Sequence, residues 1–144
     1  MKVSAYFDIR EFVPKIIWST FGENSIWYIR PEIIQLADFY REWFEAAVTI
    51  NDWHIGGQFQ NRGYRTPNSK VGSTYSQHKM GCAFDCTVKG LTANKVREEI
   101  LDHQEEFIKA GLTALEDGFF APTWIHSDIR PTNLKKIMMV SPSI

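Results

Sequence analysis

The chain has 144 residues, of which 44% are hydrophobic and 14% are aromatic, a composition typical of one globular domain with its own core. Sixteen basic and seventeen acidic residues give a formal net charge of −1, and no basic stripe is present that would neutralise nucleic-acid phosphates. No apolar run approaches the roughly 20 residues of a membrane helix, and the first residues lack the apolar segment of a signal peptide. We therefore expect a single domain over residues 1–144 that is cytoplasmic as synthesised and binds neither nucleic acid nor membrane.

Helical signals dominate the first third of the chain, and a loop follows them. Asp8 is a suitable N-cap for a short turn, and Pro14 is suitable as the first residue of a second one. Pro31 begins a longer helix, because apolar residues recur at helical spacing over the following four turns. A short strand is predicted at residues 48–50. Residues 56–73 are rich in Gly, Asn, Ser and Pro, which indicates a loop.

Residues 81–88 have the pattern of a strand in which side chains alternate between two faces. Cys82, Phe84 and Cys86 share one face, which we assign to the core, and Asp85 lies on the other. The two cysteines would have Cα atoms roughly 13 Å apart, too far for a disulfide. Both are therefore predicted to be reduced, buried packing residues.

The last third of the chain predicts one helix and two strands. The helix begins after the N-cap Thr92 and is closed by Gly111. Strands are predicted at residues 112–115 and 123–125, joined by a turn at Asp117-Gly118 and a short loop. A sheet with antiparallel pairs, flanked by helices, is an α+β fold.

Three residues form a complete ligand set for a divalent metal. His78 and Asp85 are seven positions apart, and His126 lies on a distant apolar segment. Two imidazoles and one carboxylate suit zinc by ligand type. Catalytic zinc sites have three protein ligands and leave one coordination position open. The sequence therefore predicts a zinc site with catalytic potential.

The residues around these ligands resemble a known family. Residues 76–85 read Ser-x-His-x-x-Gly-x-Ala-x-Asp, and residues 124–126 read Trp-x-His. This pattern resembles the zinc D,D-carboxypeptidase and L-alanyl-D-glutamate peptidase family (peptidase M15), which shares its fold with the Hedgehog signalling domain. Residues 6–12 and the Gly-Tyr-Arg loop at 63–67 are also similar to segments of that family, so the resemblance covers most of the chain. Phage and prophage lysis enzymes include many short members of this kind.

The resemblance implies a fold, a function and roles for particular residues. The fold would be a small, mostly antiparallel sheet flanked by helices around the zinc site. His78, Asp85 and His126 would be the zinc ligands, and Arg65 and Ser76 would hold carboxylate or carbonyl oxygens of the substrate. The protein would be a monomeric peptidoglycan hydrolase that cleaves a stem-peptide bond and reaches the cell wall after phage-type release. The bond could be L-Ala-D-Glu, a D,D bond or a cross-link.

The chain departs from the family at the general base. Bacterial members often place the catalytic acid three residues before the last histidine ligand, and this position holds Thr123, which cannot serve as a base. Glu116 and Asp117, at the end of the preceding strand, are the available substitutes. Glu116 is favoured because its side chain reaches further and Asp117-Gly118 is an ordinary turn dipeptide.

Two other interpretations compete with the peptidase. His126 and Asp128 form the His-x-Asp of iron oxygenases that use two histidines and one carboxylate, but no histidine follows downstream. Asp128 is better interpreted as orienting His126 without touching the metal, or as capping the strand. The stronger alternative, which Thr123 favours, is a zinc-stabilised and catalytically silent Hedgehog-like module with a binding or virion-structural role.

Overall fold

The computed structural model describes residues 1–142 and has an α+β architecture. Four helices and five strands are connected by loops and short 3₁₀ turns. The helices are α1 (Lys15–Phe21), α2 (Pro31–Phe44), α3 (Ala93–Asp102) and α4 (Gln104–Lys109). The strands are β1 (Val48–Thr49), β2 (Ala83–Val88), β3 (Ala114–Glu116), β4 (Ile125–Asp128) and β5 (Met138–Val140). No helix in the described part of the chain is long and apolar enough to cross a membrane.

The five strands form one mixed sheet in the order β1-β2-β4-β3-β5. Three neighbouring pairs are antiparallel, whereas β3 and β5 run parallel. A small, mostly antiparallel sheet was expected; the sheet is mixed, because its β3–β5 pair is parallel. β5 was not predicted from the sequence, and it enters the sheet beside β3 after a connection through residues 129–137.

One face of the sheet forms the hydrophobic core. Phe84 lies opposite Ser127 in the β2–β4 pairing, and Leu115 lies opposite Ser127 in the β3–β4 pairing. The Tyr40 ring of α2 packs edge-on against Phe84 with ring centroids 5.3 Å apart, and its hydroxyl is 2.6 Å from Ser127 Oγ. The buried polar pair is thereby satisfied inside an otherwise apolar layer. The opposite face is left for the polar residues of β2 and β4.

The helices follow the predicted signals with two differences. Pro31 is the first residue of α2, as predicted, and Pro14 caps α1 from outside instead of being its first residue. The single helix predicted between Thr92 and Gly111 is two helices, because the chain leaves helical geometry at His103. The His103 ring nitrogen Nδ1 lies 3.1 Å from the carbonyl oxygen of Glu99, so this side chain caps the last turn of α3.

The cysteines differ from their prediction in one respect. Both are free thiols, as predicted, and Cys86 is buried in the core. Cys82, however, is only half-buried and precedes β2. Cys82 follows Gly81, which ends the preceding 3₁₀ turn. The Cys82 Sγ therefore lies near that turn, 3.4 Å from the carbonyl oxygen of Met80.

Candidate metal centre

Three side chains from three segments converge on one point of the polar face. His78 comes from the 3₁₀ turn Gln77–Met80, Asp85 from β2 and His126 from β4. His78 Nε2 lies 3.1 Å from His126 Nδ1, and Asp85 Oδ1 lies 3.2 Å and 3.0 Å from these two nitrogens. All three residues are buried. These are the three residues that the sequence analysis selected as metal ligands.

The other polar atoms of the three side chains already have partners. His78 Nδ1 lies 2.8 Å from the carbonyl oxygen of Gly63, and His126 Nε2 lies 2.8 Å from Asp128 Oδ2. Each histidine therefore donates a proton outward, which fixes its tautomer. Asp85 Oδ2 accepts a hydrogen bond from Arg65 Nη2 at 3.1 Å.

This tautomer assignment leaves three lone pairs directed at a common point. With their outer nitrogens protonated, His78 Nε2 and His126 Nδ1 are both acceptors, as is Asp85 Oδ1. Three acceptors packed within about 3 Å of one another repel unless a cation lies between them. Tetrahedral bonds of 2.0–2.1 Å separate ligand atoms by about 3.3 Å, close to the observed spacing. The donor set and its geometry fit a divalent metal ion.

The pKa values are those expected of such a cluster. Burial would raise the pKa of Asp85, but His78 and His126 outweigh it and hold that pKa well below the ordinary value. For His126 burial acts in the opposite direction and would lower the pKa. Its hydrogen bonds to Asp128 and Asp85 outweigh burial and raise the pKa of His126 to about 9. Burial lowers the pKa of His78. The carboxylates around the two imidazoles thus make the centre a favourable place for positive charge.

Local sequence explains how His78 reaches the strand-borne ligands. Ser76 caps the 3₁₀ turn, its Oγ accepting the His78 backbone N–H at 3.2 Å. Gly81 ends the turn at φ +69°, a left-handed conformation that glycine adopts without strain. A Cβ at this position would also collide with the carbonyl oxygen of Tyr28. The turn therefore needs both a cap and a glycine to present its histidine.

The strand register places a further polar residue, Glu116, beside the metal ligands of β2 and β4. Asp85 pairs directly with His126, and Leu115 pairs with Ser127. Continued by one residue, the β3–β4 register sets Glu116 opposite His126, and directly opposed residues of antiparallel strands share a face. Asp85, His126 and Glu116 thus form a row across three strands.

The metal ligands and Glu116 line one cleft with a cavity volume of about 260 Å³. Its walls also include Trp124 and Val140, the latter at the end of β5. Partial burial raises the pKa of Glu116 above its ordinary value. A carboxyl group with a raised pKa beside a metal centre has the environment of a general base.

The two other residues considered for this role lie elsewhere. Asp117 Oδ1 accepts the backbone N–H of Phe119 at 2.8 Å and so stabilises the turn after β3. Thr123 lines a different, small cavity together with Cys86 and Ile125, whose side chains belong to the core face. Of the three candidates, only Glu116 lines the metal cleft in the described part of the chain.

The two residues predicted to bind substrate are both in the cleft wall. Arg65, however, is buried and already engaged: Nε donates to the carbonyl oxygen of Asn61 at 2.7 Å and Nη2 donates to Asp85. Its geometry is that of a residue that orients Asp85. Ser76 Oγ accepts one backbone N–H, which leaves its hydroxyl proton available to a substrate oxygen.

Some contributors were missed by the sequence analysis. The carbonyl of Gly63 orients His78, Arg130 borders the cleft beside Asp128, and residues 140–142 form part of the cleft wall. A backbone carbonyl leaves no trace in a sequence pattern. Arg130 did have a signal, since it lies two residues after Asp128, close enough to pair with that carboxylate.

Comparison of the chain with family models, curated proteins and solved structures gives no match. The family membership suggested by the residue pattern therefore stays a prediction.

Proposed function

We propose that this protein is a zinc-dependent peptidase that hydrolyses a peptide bond in peptidoglycan stem peptides. The observation that carries the proposal is the position of Glu116, a carboxyl group of raised pKa in the same row and the same cleft as three converging metal ligands. A metal site with a purely structural role does not need such a carboxyl group in an adjoining cleft. The proposal includes the Hedgehog/DD-peptidase fold as the finer description of the α+β architecture.

The ligand chemistry supports zinc as the metal. Two neutral imidazoles and one carboxylate, with each histidine held by an outer hydrogen bond, are typical of catalytic zinc sites. When bound there, the metal would supply Lewis-acid activation of a water molecule and of the scissile carbonyl. His78, Asp85 and His126 would hold it, with Asp128 and the Gly63 carbonyl fixing the two imidazoles.

The remaining residues of the cleft have separate tasks in this mechanism. Glu116 accepts a proton from the attacking water and returns it to the leaving amine, as a general base and then a general acid. The Ser76 hydroxyl donates a hydrogen bond to a substrate oxygen. Arg65 holds Asp85 in its ligating orientation and lowers the negative charge at the base of the cleft.

The test is digestion of a defined substrate by the zinc-loaded protein. Purified peptidoglycan and synthetic stem peptides are incubated with wild-type protein and with a Glu116→Gln variant, and new termini are identified by mass spectrometry. We expect wild-type protein to release one defined amine and carboxyl terminus, which also identifies the bond. If zinc is fully bound and no stem-peptide bond is cut, the catalytically silent binding module becomes the better description.

A further inference from the structure

The loop between β3 and β4, residues 117–124, connects two parts of the metal cleft. It follows Glu116 directly, and it ends at Trp124, two residues before the last metal ligand. Glu116 and Trp124 line the cleft together with that ligand. The ladder between β3 and β4 ends at the pair of Leu115 and Ser127. The two strand ends beyond this pair therefore need other contacts to hold them in place.

A buried arginine of α3, Arg97, contacts this loop at both ends. Its Nη2 donates to the carbonyl oxygen of Ala121 at 2.7 Å and to that of Trp124 at 3.0 Å. Gly118 packs against the same guanidinium, and a Cβ at this glycine would lie 2.6 Å from Nη1. Gly118 belongs to the end of the loop that follows Glu116. The guanidinium is therefore the point at which the two ends of the loop meet.

The Arg97 guanidinium is itself fixed by its own helix. Nη1 donates to Asn94 Oδ1 at 2.9 Å, so one planar group holds the helix and two loop carbonyls together. Arg97 is only 6% exposed, and its Nε has no hydrogen-bond partner among residues 1–142. Burial lowers the pKa of Arg97, and the charges of Asp117 and Glu116 act in the opposite direction. A buried cation is costly, and the hydrogen bonds to the loop offset that cost.

We propose that Arg97 is a positioning residue of the metal cleft, which holds the two ends of the 117–124 loop together and so places Glu116 and Trp124 relative to the metal ligands. The inference depends on the proposed peptidase function where it concerns turnover. The hydrogen bonds that orient the ligands themselves come from other residues. Loss of Arg97 should therefore disturb catalysis without disturbing the metal, and a displacement of about 1 Å can cost about 100-fold in rate.

The first test separates activity from metal binding. Arg97→Gln removes the charge and the planar fork, and we expect kcat on the cleaved stem peptide to fall by about 10- to 100-fold with zinc affinity unchanged. Arg97→Lys should be intermediate, because lysine keeps the charge but cannot hold Asn94 and both carbonyls at once. The control is Lys95→Gln, which removes an exposed positive charge from the same helix and should be as active as wild type. Each variant is assayed well below its own melting temperature.

Gly118 offers a second variant that leaves Arg97 in place. Its φ angle is not positive, so alanine fits the backbone, and the new Cβ must push the guanidinium aside. Gly118→Ala should therefore lower kcat in the wild-type background and have little further effect in the Arg97→Gln background. Independent, additive losses in the double variant would show that the two residues do not act through one contact, and would overturn the proposal.

The position of Trp124 gives a measure that does not need turnover. The chain has five tryptophans, and labelling with fluorotryptophan gives a fluorine NMR resonance for each in the zinc-loaded protein. The Trp124 resonance is assigned from its absence in Trp124→Phe. We expect Arg97→Gln and Gly118→Ala to shift this resonance and Lys95→Gln to leave it unchanged.

The outcomes distinguish this proposal from the peptidase function. If Arg97→Gln keeps both the wild-type kcat and the wild-type Trp124 resonance, Arg97 does not position the cleft. Zinc affinity that falls in step with activity would also overturn the proposal, because Arg97 would then act through the ligands. If wild-type protein cleaves no stem peptide but the Trp124 resonance responds as expected, the peptidase function is wrong and the positioning role of Arg97 is supported.

Discussion

At the scale of single residues, the division of labour between Glu116 and its neighbour can be tested directly. Glu116→Gln preserves size and most contacts but removes the basic oxygen, so it should reduce peptidase activity by about 10²- to 10⁴-fold. Zinc content and melting temperature should stay near wild type, because Glu116 is not one of the three converging ligands. The measurement is kcat/KM on the stem peptide identified by digestion.

The matched control for this change is Asp117→Asn on the adjacent residue. Asp117 accepts a hydrogen bond in a turn, so its loss should lower stability slightly and activity little. Thr123→Ala should have even less effect on activity, because Thr123 lines a cavity away from the cleft. An inactive Asp117→Asn variant beside a fully active Glu116→Gln variant would reverse the assignment.

The two thiols differ in environment and should differ in reactivity. Burial raises the pKa of Cys86 well above that of a free thiol, and its side chain has no access to solvent. Cys82 is half-buried and lines a cavity together with Met80 and Ile129. Since the thiolate is the reactive form, iodoacetamide should modify only Cys82 in the native protein and both residues in urea. Native modification of Cys86, measured by peptide mass spectrometry, would contradict its place in the core.

At the scale of elements, the turn that carries His78 depends on Gly81. Gly81 and Gly90 both have positive φ angles, +69° and +85°, but only Gly81 lies against other backbone atoms. Gly90→Ala should therefore cost about 1 kcal/mol from conformation alone. Gly81→Ala should cost at least about 2 kcal/mol more, because the new Cβ collides with the carbonyl of Tyr28.

Urea unfolding of the two glycine variants gives this comparison, and zinc affinity gives a second measure. Displacement of the turn moves His78 away from Asp85, so Gly81→Ala should also weaken zinc binding, whereas Gly90→Ala should not. Equal stability losses in the two variants would show that the Tyr28 contact relaxes without cost.

The elements also show where sequence reasoning succeeds. The alternation of β2 predicted Phe84 and Asp85 on opposite faces, and that alternation alone separates the core from the metal centre. The helix beginning at Pro31 was predicted because its proline and its apolar spacing are local signals. Asp128 was predicted either to orient His126 or to cap the strand, and its Oδ2 lies 2.8 Å from His126 Nε2, as residues two apart on a strand share a face.

Other elements could not be predicted from local pattern. β5 has three residues and pairs in parallel with β3, and a short parallel edge strand has no turn signal that fixes its partner. The position of Glu116 in the row of ligands depends on the β3–β4 register, which is a long-range property. The engagement of Arg65 with Asp85 depends on how the 61–65 loop folds over β2, so the sequence indicated its charge but not that its donors were used.

At the scale of the whole molecule, a metal at this centre would link segments that are distant in sequence. The ligands come from a 3₁₀ turn and two strands of the sheet, and their supporting groups come from a loop and from β4. The three acceptor atoms come close together only when the chain is folded. Metal binding and folding are therefore thermodynamically coupled.

This coupling predicts a large effect of zinc on stability. At a free zinc concentration 100 times the dissociation constant, the folded state gains about 2.7 kcal/mol. For a domain of this size, that corresponds to a rise in melting temperature of roughly 5–10 °C. Differential scanning fluorimetry with and without a chelator should show this rise. His126→Ala should abolish it, because removal of one ligand breaks the set of three.

The matched control is His103→Ala, which removes a histidine 44% exposed at the junction of α3 and α4 and should keep the full zinc-dependent rise. A zinc-dependent rise that persists in His126→Ala would mean that the ion binds elsewhere on the protein.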